Sequence, residues 1–156
     1  MILRRLRSAA VAAALAVPLV IAACSNSPSG PSSADRMALI RARAAWAALG
    51  ARNYTFVVDT YCYCGVRKIR TTVVDGVPTE RVILDNNTPV PPNQFRTIET
   101  IDAMLAHIEK AIDQRVAKLE ATYDHRGVPQ YVQIDYQANA IDEEFGWGVT
   151  SLTINP

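Results

Sequence analysis

The chain predicts an α+β domain. It reads as a mostly antiparallel sheet of about six strands with two helices, in the order α-β-β-β-α-β-β-β. Three observations lead there. Residues alternate with period two in several separate runs, the clearest starting at Tyr54. Ile98, Ile101, Leu105, Ile108 and Ile112 recur at helical spacing between those runs. Turn signals, Asp75-Gly76 and Asp124-His125-Arg126-Gly127, punctuate the alternating stretches. Strands grouped in runs with helices between them place the helices on one face of an antiparallel sheet.

The N-terminus comes before any of these elements. Arg4, Arg5 and Arg7 lead into an uncharged Ala/Val/Leu run from Ala9 to Ala23, the two parts of a secretory signal. The run is short for a membrane span, which needs about 20 apolar residues, and Pro18 interrupts it. It ends Ile21-Ala22-Ala23-Cys24, which resembles a bacterial lipobox with Ile in the usual Leu position. The resemblance implies removal of residues 1–23 as a lipoprotein signal peptide and lipidation (palmitate included) of Cys24. Residues 24–33 are rich in Ser and Pro and form a flexible tether. Residues 34–156 then make a single α+β domain. The expected location is outside the cytoplasm, lipid-anchored to a bacterial membrane and facing the periplasm or cell exterior.

Removing the signal takes away three of the 16 basic residues, leaving 13 against 15 acidic ones. That balance carries no global basic bias and excludes a nucleic-acid partner as the first reading.

The first helix is predicted over Ala34 to Leu49, started by Ser33 or Ala34-Asp35 and stopped by Gly50. Leu39, Ala42, Trp46 and Leu49 fall on one face, with Trp46 as a core anchor. Next, Tyr54, Phe56, Val58, Thr60, Cys62 and Cys64 share one face of the first strand, and the more apolar start of that face marks it as inward. The second strand puts Ile69, Thr71 and Val73 on one face and Lys68, Arg70 and Thr72 on the other, and Arg67, Lys68 and Arg70 give it an exposed basic face. Val77 to Leu84 is the third strand, and the proline-rich Asp85 to Arg96 is a loop. Thr97 opens the second helix, with His107 on the flank away from its apolar stripe and so facing solvent. Val116–Tyr123 and Tyr131–Tyr136 form a hairpin whose turn exposes His125. Gln137 to Trp147, with Asp142-Glu143-Glu144, is a solvated acidic loop, and Gly148 to Ile154 is the last strand.

Cys62 and Cys64 are the sharpest local feature. A disulfide between residues i and i+2 of a strand requires a bulge or turn at Tyr63, because two strand rises exceed the Cβ separation a bridge allows. Gly65 makes such a turn reasonable. A structural disulfide is favoured, since exported thiols tend to oxidise. The alternatives are a redox-active pair, with Arg67 and Lys68 nearby, and a metal site drawing on His107 and His125, whose spacing fits no zinc signature. No cofactor is indicated, and no nucleophile–base set stands out as catalytic.

Taken in order, the lipobox, the Trp-bearing helix, Asn53-Tyr54-Thr55-Phe56, Cys62-x-Cys64, Val74-Asp75-Gly76, Tyr123-Asp124, Gly127-Val128-Pro129, Ile134-Asp135 and Asp142-Glu143 resemble the bacterial family called Domain of Unknown Function 6174. The resemblance covers roughly Ala34 to Ile154. It implies an exported or lipid-anchored domain with a paired C-x-C and transfers no catalytic residue. The expected function is a membrane-anchored, non-enzymatic binding module of the cell envelope with a protein partner there. The alternative is a thiol–disulfide redox protein using Cys62 and Cys64.

Overall fold

A computed structural model describes residues 30–62, 67–140 and 144–155. The signal segment, Cys24, most of the tether, Cys64, Asp142 and Glu143 lie outside the described residues.

Helix α1 (Ser33–Leu49) starts one residue ahead of expectation because Ser32 and Asp35 form a reciprocal capping box. The Asp35 carboxylate accepts from the Ser32 N–H at 2.7 Å, and the Asp35 N–H donates to the Ser32 hydroxyl at 3.3 Å. Leu39, Ala42 and Trp46 are buried as predicted, whereas Leu49 is exposed at the helix end. Helix α2 (Ile101–Gln114) starts later than predicted. Residues Arg96–Ile98 form a separate 3-10 turn, and Thr100 caps α2 by accepting from the Ala103 N–H at 3.0 Å. Two side chains lock the helices to each other and to the sheet. The Trp46 indole donates to Asp102 at 3.3 Å, and the Ile101 N–H donates to the Tyr54 hydroxyl at 3.3 Å. Burial pushes the Tyr54 phenol up to about 12.

The sheet has seven strands, one more than expected: β1 (Tyr54–Cys62), β2 (Arg67–Val74), β3 (Val77–Ile83), β4 (Thr88–Pro89), β5 (Lys118–Tyr123), β6 (Pro129–Asp135) and β7 (Phe145–Ile154). All pairings are antiparallel, in the spatial order β4-β3-β2-β1-β7-β6-β5. The extra strand, β4, falls in the segment read as a loop. Arg81 draws that segment alongside β3: its guanidinium donates to the carbonyls of Gln94 (3.1 Å) and Phe95 (2.8 Å), while the Val90 N–H donates to the Arg81 carbonyl.

Strand β7 begins three residues before the predicted start. Gly146 and Gly148 look like breakers in sequence, yet both serve close strand approach. A Cβ at 146 would lie 2.9 Å from the Val132 carbonyl oxygen, and one at 148 would overlap that of Gln130. Trp147 between them is fully buried. The core lies between the two helices and one sheet face. It holds Tyr54, Phe56, Val58, Ile69, Val132, Ile134, Trp147 and Val149 from the sheet, against Leu39, Trp46, Ile101, Met104, Leu105 and Ile108.

Candidate functional site

With both helices on one side, the alternation that buries Tyr54, Phe56, Val58 and Thr60 sends Thr55, Val57, Asp59 and Tyr61 to the opposite face. Strand β1 is the middle strand of seven, so Asp59 stands near the centre of that face, over which no helix of the described residues packs. Its cross-strand neighbours are Lys68 on β2 and Gly148 on β7. The Asp59 side chain is only 16 % exposed. One carboxylate oxygen lies 3.9 Å from the Lys68 ammonium; the other is buried and has no hydrogen-bond partner among the described residues. Lys68 is itself 56 % exposed, so the pair is worth at most about 1 kcal/mol. A buried carboxylate oxygen unpaired among the described residues is an unmet acceptor, which a group reaching this face could satisfy only by shifting the side chain.

The rest of this face forms a shallow trough. Tyr61 follows Asp59 on the same side of β1, is 42 % exposed and packs beside Gly146. Across β7, Tyr131 on β6 is 39 % exposed and donates to the Gln133 side-chain oxygen at 2.7 Å. The Gln133 amide in turn donates to Glu144 at 3.4 Å. Between these two walls β7 offers only Gly146 and Gly148, so no β7 side chain separates Asp59 and Tyr61 from Tyr131 and Gln133. Two strand spacings make the trough about 10 Å wide. Its floor is peptide backbone, and its walls combine aromatic rings with hydroxyl, amide and carboxylate groups. That chemistry suits a flat or extended polar segment bound by stacking and hydrogen bonds.

The basic face expected on β2 divides. Lys68 and Arg70 point to the trough side, whereas Arg67 pairs with Thr60 and belongs to the other parity. Alternation was legible there, but its phase was not carried through to the strand's first residue.

His107 is the larger correction. It is half-buried, not solvent-facing. Its Nε2 lies 3.0 Å from the Tyr136 hydroxyl, and its ring packs 5.3 Å from the Trp147 ring. Burial, with Lys110 adding to it, lowers the imidazole below its ordinary value. The missed signal was the width of the apolar face: Met104 and Ala111 are buried and extend the α2 stripe to the His107 flank. His125 is exposed on its turn, as read from the sequence.

Cys62 is the last residue of β1, with its backbone opposite Phe145; Cys24 and Cys64 lie outside the described residues. Among those described, no three His, Cys, Asp or Glu side chains gather to hold a metal ion, and no helix is long and apolar enough to cross a membrane.

No curated protein and no solved structure matches the chain. A family model does match, over residues 38–154, which takes in everything from the middle of α1 to the end of β7. The chain therefore belongs to a family of unknown function, DUF6174, whose fold in this member is a seven-stranded antiparallel sheet with two helices on one side.

Proposed function

We propose that the protein is a lipid-anchored, non-enzymatic binding module of the bacterial envelope that takes a protein partner in the trough formed by Asp59, Tyr61, Tyr131 and Gln133. The observation that carries this is the uncovered centre of the sheet. An acceptor oxygen of Asp59 has no partner there among the described residues, beside two glycines that clear the floor. The anchor rests on the lipobox resemblance at Cys24 and the Ser/Pro tether that follows it.

The test is site-specific photocrosslinking in cells producing the full chain. A photoreactive phenylalanine at Tyr61 or Tyr131 is expected to give a discrete higher-mass adduct. The same probe at Lys110, exposed on α2, gives none, and Asp59→Ala abolishes the adduct from position 61. Finding no discrete adduct from either trough position, or adducts indifferent to Asp59→Ala, refutes the assignment. The anchor is checked separately by the mass of the N-terminal peptide.

A further inference from the structure

Helix α1 carries two apolar stripes. Leu39, Ala42 and Trp46 face the core. On the opposite side Met37, Ile40, Ala44 and Ala48 fall at helical spacing and all are exposed, Met37 by 50 % and Ile40 by 51 %. An exposed apolar stripe on a surface helix normally marks a contact.

Charge and chain length indicate what covers it. The only acid in α1 is Asp35, which is occupied in the capping box, whereas Arg36, Arg41 and Arg43 are all on this helix. Arg36 and Arg43 reach down to Asp113 and Glu109 on α2. Arg41 has no carboxylate partner among the described residues and borders the outer stripe. Exposed Arg115, at the end of α2, joins Arg36 around a shallow pocket of about 560 Å³ where the chain enters the domain. The described chain begins at Gly30, whose backbone is pressed against the Val116 carbonyl: a Cβ there would come within 2.7 Å of its oxygen. Five residues, 25–29, separate Cys24 from that fixed point, a reach of about 20 Å at full extension. Helix α1, which starts three residues later, is thus the element held nearest to whatever Cys24 is attached to, and at high effective concentration.

We infer that the outer stripe of α1 (Met37, Ile40, Ala44 and Ala48) seats on the anionic phospholipid surface of the membrane that holds the anchor, with Arg41 and Arg115 against headgroup phosphates. This rests on the lipid-anchored reading above. The helix lies in the interface and does not span it. Because α1 and the trough are on opposite sides of the sheet, the seating turns the trough outward, away from the lipid.

The test uses the full chain, purified from bacterial membranes and reconstituted in vesicles of phosphatidylglycerol and brominated phosphatidylcholine. Trp46 and Trp147 are buried and give the background. A reporter tryptophan is placed at Ile40→Trp, or at Tyr131→Trp on the opposite face as control. Since an interfacial helix sinks its apolar side about 5–10 Å into the headgroup boundary, the Ile40→Trp chain is expected to be quenched at least about twofold more than the control. Adding Ala44→Glu to it restores the control level. Equal quenching in a chain shown by mass to carry lipid overturns the docking face alone. A chain with no lipid on Cys24 overturns the anchor and this inference with it. A concentration-dependent dimer in sedimentation that Ile40→Glu dissolves assigns the stripe to a second copy and overturns the inference as well.

Discussion

Gly127 and Gly76 offer a matched pair of substitutions that separates backbone strain from steric contact. Both residues have positive φ, +83° and +80°. Around Gly76, at the tip of the β2–β3 hairpin, nothing lies within 4 Å of a built Cβ. Gly127, in the β5–β6 turn, instead faces the helix: its Cβ would overlap the Ala42 carbonyl oxygen of α1 and lie 2.8 Å from the carbonyl carbon. Gly76→Ala therefore costs only the left-handed conformation, about 1–2 kcal/mol. Gly127→Ala costs the same plus about 1–3 kcal/mol of overpacking. Relief of unfolded-chain entropy is common to both and cancels. With a urea m-value of about 1.5 kcal/mol/M, the Gly127→Ala midpoint should fall below that of Gly76→Ala by about 0.7–2 M at unchanged m. That extra loss is large against a total stability of about 5–15 kcal/mol. Coincident midpoints would mean that the β5–β6 turn is not seated under α1, and the packing described above would be wrong.

Other outcomes follow from the same structure. Because burial lowers His107 below its usual 6.5, the unfolded chain takes up the proton first as pH drops. The resulting stability is fully present above about pH 6.5 and is lost as pH falls through the depressed folded value. His107→Gln should flatten the urea midpoint between pH 7 and 5 relative to wild type, and parallel profiles would contradict the burial. Tyr136→Phe removes the hydroxyl partner of His107 and should cost about 0.5–1.5 kcal/mol by urea denaturation; a neutral result argues against the contact. Asp124 accepts from the Arg126 and Val128 N–H groups at 2.9 and 3.0 Å and from the Arg126 guanidinium at 2.8 Å. Asp124→Ala should thus lower stability by about 1–3 kcal/mol, read from the urea midpoint, and a loss below 0.5 kcal/mol, on the scale of an ordinary surface change, would refute that role. For Cys62 and Cys64, thiol labelling of the purified protein is expected to find a bridge with a potential below about −300 mV; a higher potential or free reactive thiols would bring the redox alternative forward.

The class of fold, the inward face of β1 and the two faces of β2 were legible because period-two alternation there is uninterrupted, and in β1 one face is plainly more apolar. Trp46 and the α2 stripe were legible for the equivalent reason at helical spacing. The trough was not. It depends on Gly146 and Gly148, and glycine reads locally as a breaker when the partner strand that needs its missing Cβ is fourteen or more residues away in sequence. Asp59 looked like an ordinary outward residue until the strand order placed it in the middle of the sheet, and no local pattern reveals strand order. β4 was hidden by Pro89 and by the Pro91-Pro92 pair that follows it. Its pairing is imposed by a guanidinium on β3, a tertiary contact that overrides local propensity.

The position of β7 also governs the time course of folding. It follows all the other described strands in chain order, yet it lies between β1 and β6, pairing Tyr54 with Ile154 and Val132 with Trp147. Hairpins β1–β2–β3 and β5–β6 can form as soon as each is synthesised, but they remain two half-sheets with open edges until the ten residues of β7 arrive to join them. A chain cut short before Phe145 would be left with two adhesive edges and no means of uniting them.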